Sequence, residues 1–266
     1  MKYFTLFALL IITKISYAQQ TEGQLFTSFD GTKIYYEVKG KGESVLLVHG
    51  FISTSESWTR SPLYADLISA GYKVIILDQR GNGKSDKPHD VKAYANDAEA
   101  KDIMALMKHL KIKKYSAVGY SRGSIITSRL LVLDKNIKAA VIGGMGAAFT
   151  NPIWPRRDMF YRALMGEPVE ELASMVKYVK ESGRDQLALA YLQKEQPTTT
   201  EKELKKIKIP VLVICGDQDE DNGSSKELAA LIPRSNYVRI PGNHNNTVQS
   251  VEFSSKVIAF LKENLK

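Results

Sequence analysis

The alternation of short apolar runs with helix-like segments is the feature that most constrains the fold. Six runs are short and apolar enough to be buried strands: Ser44–Val48, Lys73–Leu77, Tyr115–Val118, Ala139–Ile142, Pro210–Cys215 and Tyr237–Ile240. Leu25–Phe29 and Lys33–Val38, separated by Asp30-Gly31, read as a hairpin that precedes them. Helical patterns lie between the later strands and after the last one, at Ala100–Leu110, Ser124–Leu133 and Val248–Leu265. This order predicts an α/β protein with a mostly parallel, eight-stranded sheet flanked by helices.

The segment from residue 145 to residue 204 interrupts the alternation. It contains helix-like sequence, including Pro168–Val179, and short apolar runs resume only at Ile207. We expect residues 145–204 to form a small helical lid, inserted into a core made of residues 19–144 and 205–266. Two crossover helices with long loops would give the same pattern.

Residues 1–18 have the features of a signal peptide. Lys2 precedes an apolar stretch of about nine residues, and Ser16-Tyr17-Ala18 places small residues where signal peptidase acts. A transmembrane helix needs ~20 apolar residues, so a membrane span is not expected. We expect cleavage after Ala18 and export to the periplasm or the medium. A buried N-terminal helix is the alternative.

The net charge of +8 raises the question of an anionic partner such as nucleic acid. The basic residues are dispersed, and the lysine clusters at 111–114 and 202–208 are not interleaved with aromatic residues. We therefore expect a small-molecule partner and no nucleic acid, with both clusters at solvated helix ends. The single cysteine, Cys215, lies within an apolar run and is expected to be a buried, inert thiol.

Gly119-Tyr120-Ser121-Arg122-Gly123 follows a predicted strand and precedes a predicted helix. A serine on such a tight turn has little space on either side, so glycines two residues before and after it relieve the crowding. The turn exposes the hydroxyl above the sheet, beside the free N–H groups of the following helix. This context indicates that Ser121 is a nucleophile.

A serine nucleophile requires a base, and the chain has four histidines. His109 is expected to face water late in a helix, His89 lies in a polar loop without an orienting neighbour, and His49 ends a strand where a backbone-shaping role is favoured. His244 lies between the last strand and the last helix. His244 is therefore the predicted base, although it could instead cap that helix.

A carboxylate should orient the imidazole of the base and stabilise its charged form. Asp217 and Asp219 both follow the strand that ends at Cys215, and either could reach His244. Asp219 is favoured because two further residues carry the chain out over the edge of the sheet. Ser121, Asp219 and His244 then each follow the carboxyl end of a strand, where open α/β sheets form their ligand crevice.

With these motifs, the sequence resembles the α/β-hydrolase superfamily over nearly the whole chain after residue 18. His49-Gly50-Phe51, the Asp78–Ser85 segment and Gly242-Asn243-His244 extend the resemblance. It implies that the backbone N–H groups of Phe51 and Arg122 form an oxyanion hole, and that residues 78–85 form a structural turn. The acyl-transfer mechanism that the resemblance implies requires no metal and no organic cofactor.

Two departures from the family pattern occur near the nucleophile. Ser124 stands where many relatives have glycine, and Arg122 is less common there than an apolar residue. The Arg122 side chain is expected to form a salt bridge away from the acyl site; the alternative is that it attracts an anionic substrate group.

An apolar substrate pocket is expected from side chains of the core and the lid. Its predicted lining is Trp58, Tyr120, Trp154 and Phe160, with Phe51, Phe149, Met159, Tyr161 and Met165 as further aromatic or apolar candidates. The lid residues could equally be the lid's own core.

The sequence therefore predicts a carboxylesterase-like serine hydrolase, EC 3.1.1, acting on a small, apolar ester through an acyl-enzyme. The same triad could instead hydrolyse carbon–carbon bonds, release N-terminal residues from peptides or make peracids, and a slow ligand-binding protein could retain it. Dehalogenase and epoxide-hydrolase chemistry is disfavoured, because relatives that perform it carry aspartate at the position of Ser121.

Overall fold

A computed structural model describes residues 23–265 of the chain, and the predicted signal peptide at residues 1–18 lies outside this range. The centre is one sheet of eight strands. The strands are β1 (Gln24–Thr27), β2 (Lys33–Gly40), β3 (Ser44–Val48), β4 (Lys73–Leu77), β5 (Tyr115–Tyr120), β6 (Ile137–Gly143), β7 (Val211–Gly216) and β8 (Ser235–Ile240). Their spatial order is β1-β2-β4-β3-β5-β6-β7-β8.

The sheet is mostly parallel. β1 and β2 form an antiparallel hairpin, and β2 also pairs antiparallel with β4, while the six strands from β3 to β8 run parallel. This arrangement confirms the predicted fold class.

Ten α-helices, most of them connecting strands, lie within residues 23–265. They are α1 (Glu56–Thr59), α2 (Pro62–Ser69), α3 (Ala98–His109), α4 (Arg122–Leu133), α5 (Pro155–Leu164), α6 (Ala173–Glu181), α7 (Gln186–Lys194), α8 (Glu201–Leu204), α9 (Ser225–Leu231) and α10 (Val251–Asn264). Over these residues, no helix combines the length and the hydropathy that crossing a bilayer requires.

Successive residues of each central strand face opposite layers of the protein, because side chains alternate along a strand. In β3, Leu46 and Val48 join an apolar cluster with α3, α4 and α9, whereas Val45 and Leu47 join a cluster with α2 and α10 on the other face. All four side chains are fully buried. Continuous apolar runs therefore mark strands covered on both faces, as the sequence predicts.

The segment between β6 and β7 contains α5 to α8, and residues 145–210 include no strand. Two of its helices, α7 and α8, begin at side-chain caps. Asp185 accepts the Ala188 N–H at the start of α7, and Thr200 and Glu203 form a capping box at α8. A third apolar cluster, centred on Leu189 and Leu192, joins this segment to Tyr94 of the core.

The turn after β4 is held by its own polar side chains. The Asp78 carboxylate accepts N–H groups from Ser55 (2.7 Å) and Lys84 (2.8 Å). Arg80 is fully buried and donates Nε to Asp102 over 2.7 Å. These contacts are consistent with the structural role expected for residues 78–85.

Candidate active site

Ser121 lies on a strained turn between β5 and α4. Its φ of 54° and ψ of −123° lie outside the regions that non-glycine residues ordinarily adopt. The neighbouring glycines are sterically required, because a Cβ on Gly119 would lie 2.3 Å from the Gly123 carbonyl oxygen. A Cβ on Gly123 would lie 2.1 Å from the carbonyl oxygen of Val48. The crowding expected at the motif is therefore present on both sides of the serine.

Ser124 fastens this turn to β6. Its buried hydroxyl donates to the Gly143 carbonyl oxygen (2.7 Å) and accepts the Gly143 N–H (2.9 Å). The Ser121 N–H donates to the same carbonyl oxygen at 2.8 Å. A glycine at position 124 could not make the two hydroxyl contacts, which gives this departure from the family pattern a structural purpose.

Three side chains from the carboxyl ends of three strands form a continuous hydrogen-bonded chain. His244 Nε2 lies 2.9 Å from Ser121 Oγ, and His244 Nδ1 lies 3.0 Å from Asp219 Oδ2. The carboxylate can only accept, so Nδ1 carries the proton and Nε2 accepts from the serine hydroxyl. The Asp219 side chain is 2% exposed and that of His244 is 22% exposed, so the base can reach a substrate while the acid cannot.

Asp217 does not contact the imidazole. It is exposed, and its Oδ1 accepts the Gly242 N–H at 3.0 Å in the loop that carries His244. The same loop is tightened by Asn243, whose Oδ1 accepts the N–H groups of Asn245 and Asn246. The two aspartates therefore have different tasks, one orienting the ring and one shaping the loop.

None of the other three histidines, all within residues 23–265, hydrogen-bonds to the Ser121 hydroxyl. His49 is buried, and its Nε2 accepts the Gln79 N–H (3.0 Å) while Nδ1 donates to the Gly50 carbonyl oxygen (2.8 Å). Burial lowers the pKa of His49, so the ring is neutral and holds the backbone after β3. His109 is exposed, with its ring 4.9 Å from that of Phe26.

One expectation about the histidines is wrong. His89 does have an orienting neighbour, because its Nε2 lies 2.8 Å from Asp185 Oδ2 at the start of α7. The partner is 96 residues away in the sequence, so a local pattern could not reveal it.

The loop after β3 passes beside the nucleophile. A Cβ built on Gly50 would lie 3.3 Å from Ser121 Cβ and 3.8 Å from Ser121 Oγ. Phe51 of this loop and Arg122 of α4 line the same cavity as Ser121 and His244. The next residue, Ile52, has a φ of 53°, a strained value for a β-branched side chain.

Two cavities meet at Ser121 and His244. The first, named here the lid-side cavity, has a volume of about 200 Å³, lies beside α5 and α7, and is lined by Trp154 and Phe160 of the segment expected to form the lid. The core-side cavity, of about 190 Å³, is lined by Trp58 and Tyr120. The four residues predicted to line one pocket are thus divided between two cavities, one on each side of the reacting hydroxyl.

Several other predicted lining residues lie elsewhere. Phe149 is buried in the main apolar cluster, Tyr161 packs against the third apolar cluster and Met165 is 46% exposed. Tyr161 thus packs with residues of the segment between β6 and β7, as the alternative expects, although that cluster also includes Tyr94 of the core. Phe51 does line the lid-side cavity.

The Arg122 side chain points into a buried ion pair. Both its terminal nitrogens donate to the Glu99 carboxylate, and one of them also donates to the Leu192 carbonyl oxygen at 2.8 Å. Arg122 and Glu99 are each 4% exposed. The guanidinium charge is therefore neutralised within the protein, and the structure contradicts the alternative that Arg122 attracts an anionic substrate.

The lid-side cavity also has polar walls that the sequence reasoning missed. They are Arg156, Arg157, Gln193, Gln196 and Asn222. The adjacent Arg156 and Arg157 could have indicated a polar wall of the cavity. However, charged residues on a short helix ordinarily indicate a solvated face. The glutamines carry no such signal.

One group of side chains has the spacing of a metal site. Donor atoms of Asp219, Asp221 and His244 lie within 4.8 Å of one another. However, Asp219 and His244 already hydrogen-bond to each other, and a cation there would displace that contact. The donor set therefore suits proton transfer better than metal binding.

Comparisons with known proteins agree with this geometry at the level of the fold. A family model described as "alpha/beta hydrolase fold" matches residues 43–174. A putative non-heme chloroperoxidase from Synechocystis is 39% identical over 98 residues, which are 37% of this chain. The chain spans only 34% of that relative's length.

Two solved structures superpose on most of the chain. A bromoperoxidase from Bacillus anthracis has a TM-score of 0.75 at 25% identity, covering 91% of this chain and 100% of its own. An esterase from Exiguobacterium antarcticum has the same TM-score, 0.75, at 21% identity, again covering 91% and 100% of the two chains.

Proposed function

The chain belongs to the α/β-hydrolase superfamily, and on that premise we propose that it is a carboxylesterase-like serine hydrolase, EC 3.1.1. The observation that carries the proposal is the hydrogen-bonded chain from Ser121 through His244 to Asp219. Such a chain activates a hydroxyl that is otherwise a weak nucleophile near neutral pH.

In the proposed reaction, His244 Nε2 accepts the Ser121 proton while Ser121 Oγ attacks the ester carbonyl carbon. Asp219 stabilises the resulting imidazolium through Nδ1. The tetrahedral intermediate then collapses, the carbon–oxygen bond to the alcohol breaks, and His244 returns the proton to the departing alcohol. A water molecule, deprotonated by His244, hydrolyses the acyl-enzyme by the same steps and releases the acid.

We assign the oxyanion hole to the backbone N–H groups of Phe51 and Arg122. The proximity of Gly50 to Ser121 supports the first donor, and the position of Arg122 at the first turn of α4 supports the second. N–H groups in the first turn of a helix lack intrahelical partners and lie at the positive end of its dipole. Preorganised donors of this kind stabilise the charge that develops on the carbonyl oxygen.

We further propose that residues 145–204 serve as a lid and that the two cavities receive the two halves of the ester. The reacting carbonyl would then lie at Ser121, where the cavities meet. The volumes, about 200 and 190 Å³, favour small acyl and alcohol groups.

The test uses a fluorophosphonate probe together with p-nitrophenyl acetate. The wild type should be labelled on Ser121 and should turn over the ester, and Ser121→Ala and His244→Ala should each lower kcat by more than ~10³. Absence of label on Ser121 would refute the serine-hydrolase proposal. Labelling of Ser121 without turnover of any ester would favour other chemistry on the same triad. The absence of both labelling and turnover would favour a ligand-binding protein.

Perhydrolysis is a second candidate, favoured by the similarity to the two haloperoxidases. Here hydrogen peroxide replaces water in attacking the acyl-enzyme, and the product is a peracid. Halide oxidation that requires acetate, peroxide and Ser121 together would support it. A rate unchanged by Ser121→Ala would argue against it.

Export of the protein is also proposed, from the sequence of residues 1–18. Cleavage after Ala18 should leave Gln19 as the first residue of protein recovered outside the cytoplasm. N-terminal sequencing of that protein tests the cleavage site directly, and an intact Met1 on it would exclude cleavage.

A further inference from the structure

The lid-side cavity contains guanidinium charge that no carboxylate of the described residues balances at close range. Among residues 23–265, Arg122 is the only one of the cavity's three arginines that forms an ion pair, with Glu99. Within residues 23–265, neither Arg156 nor Arg157 has a carboxylate oxygen within 4.0 Å. Both are half-buried on α5, next to the aromatic wall of the cavity.

The two arginines differ in how much of their donor capacity is used. Arg157 donates Nε to the Gln193 carbonyl oxygen at 2.9 Å and a terminal nitrogen to that of Lys194, which fixes it to α7. Glu195 and Asp158 attract it only at longer range. Arg156 instead lies over the ring of Phe160, 5.0 Å from its centroid, and makes no hydrogen bond to another described residue through its side chain. Arg156 therefore has its donors free for a ligand.

Two amides complete a polar wall. Gln193 and Gln196 are each only 6% exposed as residues, and both line the cavity. No side-chain hydrogen bond joins either amide to any other residue in the described part of the chain, 23–265, and none of their amide atoms is sealed from solvent. The amide groups are therefore accessible from the cavity, where a ligand or water can hydrogen-bond to them.

We infer that the substrate carries a carboxylate on the half that enters the lid-side cavity, where Arg156 binds it and the amides of Gln193 and Gln196 assist. This rests on the proposed ester hydrolysis at Ser121 and replaces the expected apolar substrate with an anionic one. A planar guanidinium with a free edge matches a planar carboxylate in a two-bond arrangement. The stacked Phe160 ring holds the guanidinium in place, and the aromatic wall raises the strength of the charge interaction by excluding water.

The kinetic test compares matched anionic and neutral esters. One pair is p-nitrophenyl hemiglutarate and its methyl ester, with the charge on the acyl half. The other pair is 4-acetoxybenzoate and its methyl ester, with the charge on the alcohol half. In the wild type, kcat/KM should favour the anionic member of one pair, and added salt should reduce that preference.

Arg156→Gln should lower this anionic-to-neutral ratio by about ten- to a hundredfold, the range expected for losing a hydrogen bond to a charged group. Arg162→Gln is the matched control, because Arg162 lies on the same helix but is exposed and paired with Glu167. The control should leave the ratio unchanged. Equal ratios in wild type and Arg156→Gln would overturn the inference.

A binding measurement separates this inference from the proposed function. Glutarate and 4-hydroxybenzoate, the charged products of the two pairs, are both titrated into Ser121→Ala by calorimetry. At least one should bind, and adding Arg156→Gln should weaken its affinity by the same factor. If no ester is hydrolysed and Ser121 takes no label, the proposed function fails, while the binding of these two anions still decides the role of Arg156. If esters are hydrolysed but both anions bind the two proteins equally or not at all, only the inference fails.

Discussion

The Tyr120 hydroxyl donates a 2.8 Å hydrogen bond to the backbone carbonyl oxygen of His244. The residue directly before the nucleophile therefore holds the loop that carries the base, 123 positions beyond Ser121. Burial raises the pKa of Tyr120, so the phenol stays protonated and can donate at neutral pH. Its ring also lies 5.7 Å from the imidazole ring.

Tyr120→Phe should lower kcat by about three- to tenfold, because one net hydrogen bond is worth ~1 kcal/mol and its loss loosens the position of His244. The reduction should appear mainly in kcat rather than KM, as for a positioning residue. Tyr115→Phe is the control, since Tyr115 also donates a buried hydrogen bond, to Asp134 at 2.7 Å, but away from the site. That variant should lose stability and keep kcat; equal loss of kcat in both would contradict the role of Tyr120.

Asp219→Asn should reduce kcat by up to ~10⁴, because an amide can donate to Nδ1 and so favour the wrong tautomer of His244. The companion variant is Asp217→Asn, which alters an exposed carboxylate two residues earlier. The loss of its side-chain hydrogen bond with the Gly242 N–H predicts a reduction in kcat below about tenfold. Steady-state kinetics on p-nitrophenyl acetate measures both, and similar losses would mean that the two carboxylates share the task.

Gly123→Ala should prevent folding or lower the free energy of unfolding by about 3 kcal/mol or more, because the added methyl group overlaps the backbone of β3. Gly183→Ala is the comparison, with a φ of 66° and no atom within 4 Å of the added Cβ. That change should cost only ~1–2 kcal/mol, the strain of a left-handed residue. Urea unfolding distinguishes the two variants. Similar unfolding midpoints would show that the turn around Ser121 can relax to accept the methyl group at position 123.

The free energy of unfolding should decrease as the pH is lowered below about 6.5, the ordinary pKa of histidine. His49 should contribute to that decrease. Burial lowers the pKa of His49 in the folded protein, so the unfolded chain binds its proton first as the pH decreases. The stabilisation is complete above the unfolded pKa and is lost as the pH falls toward the folded one. One such group changes the unfolding free energy by at most ~1.4 kcal/mol per pH unit.

His49→Gln should flatten this dependence between pH 6.5 and 5, measured by urea unfolding at several pH values. His109→Gln, which alters an exposed ring, should leave the slope unchanged. An unaltered slope in His49→Gln would mean that another group causes the acid sensitivity.

The sheet could be predicted from the sequence because its strands are buried on both faces. Ser44–Val48 and Lys73–Leu77 are predicted with the bounds that the structure gives. β5 extends two residues beyond its predicted end, since Gly119 and Tyr120 still pair with β6 even though glycine ends the apolar run. Helices α2 and α9 are not predicted, because both are short and neither has a long apolar stripe.

The three side chains of the hydrogen-bonded chain could be predicted to lie close together because each follows a strand, whereas their surroundings could not be predicted. The ion pair of Arg122 depends on Glu99, on another helix 23 residues earlier. Arg156 has the sequence context of a surface residue, yet it lines the same cavity as Ser121. Contacts between distant segments determine both outcomes, and no local pattern encodes them.

The lid segment is also the only covalent route from β6 to β7, and this limits how the enzyme can acquire new specificity. The chain leaves at the carboxyl end of β6 and must return to the opposite end of the sheet, where Val211 pairs beside Ala140. Its last part is anchored, with Leu204 in the main core and Glu203 paired with Arg129 of α4. We therefore expect substrate range to change most readily through residues of α5 to α7 that line the lid-side cavity, while the stretch from α8 onward is constrained by its packing on the sheet.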